Sequence, residues 1–344
     1  MSHVSHSLSE DTFITAPFPV THSILSTAAL CSEILPLYDL GSQVNCIFLT
    51  SGVNDTYLVQ TSTEKYILRA YRTGWRTLSD ILYEIDVLVH LDQAGIPVSL
   101  PVAQKDGRFV CTLQAPEGPR QLVLFTYAPG VPLDRHDATD SYYHGRAVAA
   151  IHNATDEFTG SHVRAPLDLT YLTDQSLQAI QPLHNCSAAD WDYLQDLAER
   201  LRSQVLQLSI QGLDWGVCHG DCHMLNGHIG DDHTITFFDF DCCATGWRAY
   251  DLAILRWCEG FYKMDPDDTL WHAFLKGYTE QRPITETDLA SIPAFVALRE
   301  IWHTALCAWL QPASGIQGFD KMLQRTIRLL QEWDVTYLKK HKKG

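Results

Sequence analysis

The stretch Val217-Cys218-His219-Gly220-Asp221-Cys222-His223-Met224-Leu225-Asn226 is followed shortly by Thr236-Phe237-Phe238-Asp239-Phe240-Asp241. Its chemistry-bearing residues are an acid, an amide five positions later, and a second acid closing an apolar run. That set suits phosphoryl transfer. The reaction needs a carboxylate beside the attacking hydroxyl and hard oxygen ligands that hold a divalent cation against the phosphates. An Asp followed five residues later by Asn is the spacing of a kinase catalytic loop, with the Asp as base and the Asn on a metal. Here the pair is Asp221 and Asn226, and Asp239 supplies the second acid from a strand end.

Upstream of this stretch, strand signals come in quick succession. Residues 44–49 and 56–60 flank a Ser51-Gly52-Val53-Asn54-Asp55 turn, a hairpin by composition, and residues 66–71 follow as a third strand. Apolar positions Leu78, Ile81, Leu82, Ile85, Leu88, Val89 and Leu91 predict an amphipathic helix over 77–94, ended by Gly95 and Pro97. Strands near 109–113 and 121–127 complete a five-stranded antiparallel sheet, and a helical pattern over 23–35, stopped by Pro36, precedes it. After Ala128-Pro129-Gly130 the periodicity turns helical, at 141–158, 188–210, 249–258, 269–281, 287–309 and 321–333. Two strand-like runs, 216–219 and 234–240, interrupt it. The expectation is an α+β chain in two lobes. A flexible leader spans 1–21, an N-terminal nucleotide-binding lobe 22–127, a catalytic and substrate lobe 128–338, and a basic tail 339–344.

Hydrophobic residues make up 46% of the 344 residues and charged residues 19%, a globular composition. The net charge of −16 repels phosphate backbones, which argues against nucleic acid as a partner and favours a cationic or neutral substrate. No apolar run approaches the roughly 18 residues of a membrane crossing, and the N-terminus lacks a signal-peptide pattern, so the cytoplasm is the expected location. Ten irregularly spaced cysteines read as reduced thiols. Cys218, His219, Cys222, His223 and Cys242-Cys243 invite a zinc reading, but a C-x3-C spacing without a second knuckle argues against it.

His-Gly-Asp-x-His-x-x-Asn running into an apolar strand and Asp-Phe-Asp resembles the aminoglycoside phosphotransferase and choline kinase-like superfamily. Type II homoserine kinases and a bacterial stress-response Ser/Thr kinase group belong to it as well. The resemblance extends over residues 22 to about 335. It implies a bilobal protein-kinase-like fold, ATP and magnesium as cofactors, and a small-molecule hydroxyl as acceptor: an aminoglycoside, an amino alcohol, homoserine or a sugar-like compound. It makes Asp221 the catalytic base, Asn226 and Asp239 the magnesium ligands, and His219 a support of the loop. Asp251, in Tyr250-Asp251-Leu252-Ala253, becomes a structural anchor, and His152 ends a helix of family type. Asp241 suits either direct ligation or a supporting, backbone-binding role.

In the first lobe the same resemblance places Ser51, Gly52 and Asn54 in the turn over the triphosphate. Arg69 stands where protein kinases use Lys, with Glu84 on the following helix as its natural partner. Phe125 and Tyr127 fall in the hinge whose backbone would meet adenine. Three places depart from the family pattern: Met224-Leu225, Gly227-His228 and Cys242-Cys243. Trp247, Trp257, Phe261, Tyr262, Trp302 and Trp309 read as core at helical spacing or as walls of an acceptor pocket.

A second reading is a Ser/Thr protein kinase, because Tyr71-Arg72-Thr73-Gly74-Trp75-Arg76-Thr77 and Leu298-Arg299-Glu300 look similar to the stress-response group. Only nine residues separate Asp241 from Asp251, and no activation loop of protein-kinase type is readable there, which weakens the case for a protein substrate and leaves it open. A third reading, a non-catalytic nucleotide-binding module, conflicts with intact Asp221, Asn226 and Asp239. The oligomer is expected to be a monomer or homodimer.

Overall fold

A computed structural model describes residues 18–262, 268–315 and 317–338, without the side chains of 259–262 and 312–314. The expected leader up to residue 17 and the basic tail therefore lie outside the described residues, as do the side chains of Phe261 and Tyr262. Five strands form one antiparallel sheet in the order β1 (Asn45–Ser51), β2 (Asp55–Gln60), β3 (Lys65–Ala70), β5 (Gly118–Thr126), β4 (Val110–Ala115). Helix α1 (Leu78–Gln93) packs on one face, opened by a capping box in which Thr77 and Asp80 satisfy each other's amides. The other face carries its own core of Leu30, Ile34, Leu35, Tyr57, Val59, Leu68 and Leu124.

The segment before the sheet differs from expectation. Instead of a helix ending at Pro36, a short turn at Thr27–Ala29 opens into a wide turn, Leu30–Ile34, and a tight one, Leu35–Leu37, that contains Pro36. Proline fits the first turn of a helix, where its missing N–H would have no partner anyway. The chain is tied to the sheet from His22 and Ser23, which bond Asp55 and Glu117. Asp55 is itself fully buried and paired with the equally buried Arg120 at 2.8 Å.

The rest is mainly helical: α2 (Ala138–Ala154), α3 (Ala188–Ile210), α4 (Arg248–Tyr262), α5 (Thr269–Thr279), α6 (Glu286–Ser314) and α7 (Phe319–Trp333). Gly145 of α2 faces Gly277's helix so closely that a Cβ on Gly145 would stand 2.0 Å from the Phe274 carbonyl. One on Gly277 would stand 1.9 Å from that of Tyr142, so both positions require glycine for α2 and α5 to touch backbone to backbone. Where two strand-like runs were expected, two small sheets occur: β7 (Trp215–Cys218) with β10 (Ala244–Trp247), and β6 (Val131–Pro132), β8 (Gly227–Ile229), β9 (Ile235–Phe237). β8 and β10 were missed because a few residues rich in glycine leave no alternation to read.

One large core spans both parts of the chain. α1 contributes Ile81, Val87, Leu88 and Leu91 to the same cluster as Val148, Leu197, Phe237, Phe295 and Trp302. The segment after α1 stitches the sheets together: the Ser99 amide donates to the Phe237 carbonyl, and the Val102 amide donates to the Leu124 carbonyl of β5. The cleft between sheet and helices thus has walls fixed from both sides.

Candidate active site

The loop after β7 is held from below by a single carboxylate. Asp251, 1% exposed on α4, accepts from the amides of His219 at 2.7 Å and Gly220 at 2.8 Å. His152 meets the same carboxylate at 3.1 Å and Tyr278 with its other nitrogen at 2.9 Å. Burial pushes the Asp251 carboxyl up, but His152, His219 and the Gly220 amide outweigh it and hold the group below its ordinary value. Gly220 explains the glycine before Asp221. Its φ is +78°, and a Cβ there would lie 2.3 Å from the Cys242 carbonyl.

Asp221 follows at the crest of that loop. Its Oδ1 accepts from Arg299 Nη2, and its Oδ2 lies 3.6 Å from His223 Nε2. Burial raises its carboxyl, yet Arg299, His223 and His219 more than compensate, so it sits below the ordinary carboxylate range and is ionised at neutral pH. Asn226 closes the loop by donating from Nδ2 to the Asp221 carbonyl at 2.9 Å. Its Oδ1 has no partner among the described residues.

Asp239 adopts the left-handed conformation, φ +63°, which Asp tolerates better than most residues. Its side chain is 47% exposed to the cleft, where Arg69 Nη2 donates to Oδ1 at 2.9 Å. Arg69 also pairs with the buried Glu84 at 2.6 Å, and Tyr71 donates to the second Glu84 oxygen at 2.7 Å. The guanidinium lies 4.8 Å over the Phe125 ring. Asp241 is buried and fully engaged. Trp75 Nε1 donates at 2.8 Å, Arg76 Nε at 2.9 Å and Asn54 Nδ2 at 3.1 Å, and Arg76 and Arg69 hold its carboxyl far below the ordinary range against the cost of burial.

The hairpin turn is held rigidly. Asn54 spends its amide on Asp241 and its oxygen on the Arg72 amide, while Arg72's guanidinium donates to the Gly52 and Val53 carbonyls. The Ser51 hydroxyl donates to Asp55 at 2.7 Å. The side chains of Ser51 and Asn54 thus serve the turn itself.

Two cavities flank the acids. One, about 260 Å³, lies between the sheet and the helical part and is lined by Ile67, Arg69, Phe125, Tyr127, His228 and Asp239, among others. The other, about 520 Å³, has Asp221, His223, Leu225, Trp257, Arg299 and His303 in its wall. Of the aromatic set, Trp257 faces this second cavity, Trp247 and Trp302 are core, and Trp309 stacks on Tyr171 elsewhere. The departures from the family pattern acquire positions. Leu225 lines the second cavity, Cys243 is core, and His228 Nδ1 donates to the carbonyl of Ala128 in the hinge at 2.8 Å.

Sequence reasoning passed over Arg299, Trp75, Arg76 and His228 as site residues. Arg299 had a signal, the adjacent charges Arg299-Glu300 in the otherwise apolar run 292–302 of a buried helix. Trp75 and Arg76 sit in a loop and His228 on the short β8, and their partners are far away in sequence. Cys218 and Cys222 donate their thiols to the Trp247 and Asp251 carbonyls, and all ten cysteines are free. Among the described residues no three of His, Cys, Asp and Glu cluster as a metal would need, and no helix is long and apolar enough to cross a membrane.

A five-stranded antiparallel sheet over a helical body, with an Asp/Asn loop and a facing acid in the cleft, defines a phosphotransferase of kinase-like fold. The sequence profile of the phosphotransferase enzyme family matches residues 46–287, and the chain belongs to that family. An uncharacterised protein of Deinococcus radiodurans is 37% identical over 328 residues, covering 94% of each chain. A homoserine kinase of Xanthobacter autotrophicus is 28% identical, covering 81% of this chain and 85% of its own. Among solved structures, an amicoumacin kinase in complex with AMP-PNP, Ca²⁺ and Ami superposes with a TM-score of 0.75 at 24% identity, covering 91% of this chain and 95% of its own.

Proposed function

We propose that the chain transfers the γ-phosphoryl group of ATP to a hydroxyl of a small molecule, with magnesium as cofactor. The observation that carries this is a pair of cavities, one with Asp239 and an aromatic and hinge wall, the other with Asp221 and walls from α4 and α6. Adenine would lie against Phe125 and Tyr127, with Arg69 on the phosphates. The turn at Gly52 would cover them through its backbone, because the Ser51 and Asn54 side chains have other partners.

Magnesium fits the donors present. The Asn226 Oδ1 and the second Asp239 oxygen are hard ligands with no partner among the described residues, and magnesium takes few protein ligands and keeps waters. Bound there, it would offset charge on the phosphates. In the transfer, the acceptor oxygen forms its bond to the γ-phosphorus as the bond to the β–γ bridging oxygen breaks and ADP leaves. The hydroxyl proton passes to Asp221. Arg299 occupies Oδ1, so Oδ2 is the oxygen left to receive it. Asp241 is assigned a supporting role, aligning the turn and the Trp75-Arg76 segment rather than the metal.

A second reading, a protein Ser/Thr kinase, rests on one observation. The two stretches similar to the stress-response group are those that grip the acids, Trp75-Arg76 on Asp241 and Arg299 on Asp221. The walled second cavity favours a small acceptor. Thermal-shift titration should show stabilisation by MgATP that Asp239→Asn loses. ADP release should then follow addition of a small hydroxyl compound and not of generic protein substrates. Equal stabilisation of both proteins would remove Asp239 from the metal site, and phosphorylation of protein alone would establish the second reading.

A further inference from the structure

Arg299 pairs with Asp221, and its own direction is set by the rings beside it. The buried guanidinium lies over the rings of Trp302 at 4.5 Å and Trp257 at 5.0 Å, and its Nη atoms reach Asp221, the Gly220 carbonyl and Tyr250. Trp302 stands on the same helix and is fixed by the core. Trp257 comes from α4 and stands in the wall of the second cavity. Its ring is pinned by a hydrogen bond from Nε1 to Oε2 of Glu300 at 2.7 Å. The other Glu300 oxygen accepts from the Thr326 hydroxyl of α7, also at 2.7 Å. Glu300 and Thr326 are buried, and neither lines either of the cavities that flank the acids. Burial pushes the Glu300 carboxyl above its ordinary value, with Thr326 and Trp257 pulling the other way. An acid in such a place costs more stability than an apolar side chain would. What it supplies is direction. Successive residues of a helix diverge by about 100°, so Glu300 reaches its neighbour Arg299 through the indole of another helix and ties α4, α6 and α7 together at that ring.

We infer that Glu300 is a positioning residue for the transfer. By holding Trp257 it keeps the Arg299 guanidinium on Asp221 Oδ1, which leaves Oδ2 turned to the acceptor. This rests on the reading of Asp221 as the acceptor-side acid. The need arises in the carboxylate itself. Its terminal torsion is broad and roughly two-fold, so an aspartate anchored only to a mobile arginine would spend time with neither oxygen aimed at the hydroxyl. His223 lies 3.6 Å from Oδ2, beyond a hydrogen bond's reach, and does not fix it. A base must stand within hydrogen-bond reach of the proton it takes, and a displacement of about 1 Å costs up to about 10²-fold in rate. A long arginine stem gains its aim from the flat faces it stacks on, and the nearer its supports are to rigid, the narrower that aim becomes.

Thr326→Val tests this from the far end, because it removes one hydroxyl, keeps the side chain's shape and lies outside both cavities. With the full chain and MgATP, ADP release is followed with L-homoserine, with 3-aminopropan-1-ol and with water as acceptor. Thr326→Val and Glu300→Gln should each lower kcat by about tenfold or more and leave KM for ATP within about twofold, and Thr326→Ser should restore kcat. The decisive measurement combines Thr326→Val with Arg299→Lys. A lysine cannot lie flat on two indoles, so adding Thr326→Val to Arg299→Lys should cost less than about twofold more. A second loss as large as the first means that Thr326 and Glu300 only steady the fold, and overturns the inference. So does an unchanged kcat in both single variants. Where Arg299→Lys does not fold, or turnover is too slow to compare, the indole N–H signal of Trp257 decides by NMR, assigned by its loss in Trp257→Phe. It should shift in Thr326→Val and in Asp221→Asn alike, and a signal that Asp221→Asn leaves in place overturns the inference. Failure of the functional reading is separate. It is seen without any acceptor, as MgATP that does not stabilise the protein or stabilises Asp239→Asn equally.

Discussion

The two sides of the cleft are built on the same plan and finished differently. Each centres on an aspartate paired with an arginine, Asp239 with Arg69 and Asp221 with Arg299. On the nucleotide side the groups around the acids are mostly paired, with Arg164 Nη1, whose neighbour Nη2 donates to the Asp241 carbonyl, a buried exception. Arg69 has Glu84, Tyr71 and Asp239, and Asp241 has three side-chain donors. On the acceptor side, Arg299 Nε and His223 Nδ1 are buried and unpaired. A saturated network resists change in shape, because every displacement breaks a buried bond. An unsaturated one keeps more freedom to rearrange. The difference is one of bonding: the Asp239 side is held by more protein partners than the Asp221 side.

The largest effect that could break this comparison is on transfer itself. Asp221→Asn should lower single-turnover transfer by about 10²–10⁴-fold while MgATP affinity stays nearly unchanged. The asparagine can still accept from Arg299, so melting temperature serves as the control for folding. Loss of ATP affinity in parallel would mean that the two sides are one unit and that Asp221 is a loop residue. Next in size, Glu84→Ala should cost about 3–5 kcal/mol of unfolding free energy, because it strands a buried guanidinium. Denaturant titration measures it. A cost below about 1 kcal/mol would show that Asp239 alone can hold Arg69 and that the nucleotide side is less tightly built than its bonds suggest.

Much of this was legible in the sequence. The spacing of Asp221, Asn226 and Asp239 marked both sides of the cleft, and the period-two runs gave the five-stranded sheet, because those signals are local. Helix 188–210 was read to the residue, since Ser187 caps it visibly. What stayed hidden depends on contacts remote in sequence. Arg299 meets Asp221 across 78 residues and Trp75 meets Asp241 across 166, and no spacing rule reports such pairs. Ser51 and Asn54 were assigned to the triphosphate from their place in a hairpin turn. Their side chains bond Asp55 and Asp241, contacts that composition could not reveal.

The smallest expected effect concerns the floor that both sides share. His144 of α2 is fully buried behind the catalytic loop, with Nε2 donating to the Cys222 carbonyl at 2.7 Å and Nδ1 without a partner. Phe237 and Phe274 lie beside the ring at 5.5 and 5.2 Å. Burial, helped by the neighbouring His223 and His219, holds the imidazole from its ordinary 6.5 down to about 3. The sign follows from which state binds the proton. Between those two values the unfolded chain takes it up and the folded one does not, so acidification favours unfolding. The contribution is complete above about pH 6.5 and declines below it by about 1.4 kcal/mol per pH unit. His152 and His219, also held below their ordinary values by burial, act in the same direction. Urea unfolding between about pH 7 and pH 5, where most carboxylates are still ionised, should therefore show stability falling as pH falls. His144→Gln should remove about one proton's worth of that slope and leave the rest. An unchanged slope would mean that His144 is protonated in the folded protein, which would need a carboxylate or water beside Nδ1. The loop carrying Asp221 would then rest on a charged floor rather than a neutral one, and the contrast between the two sides would have to be redrawn from beneath.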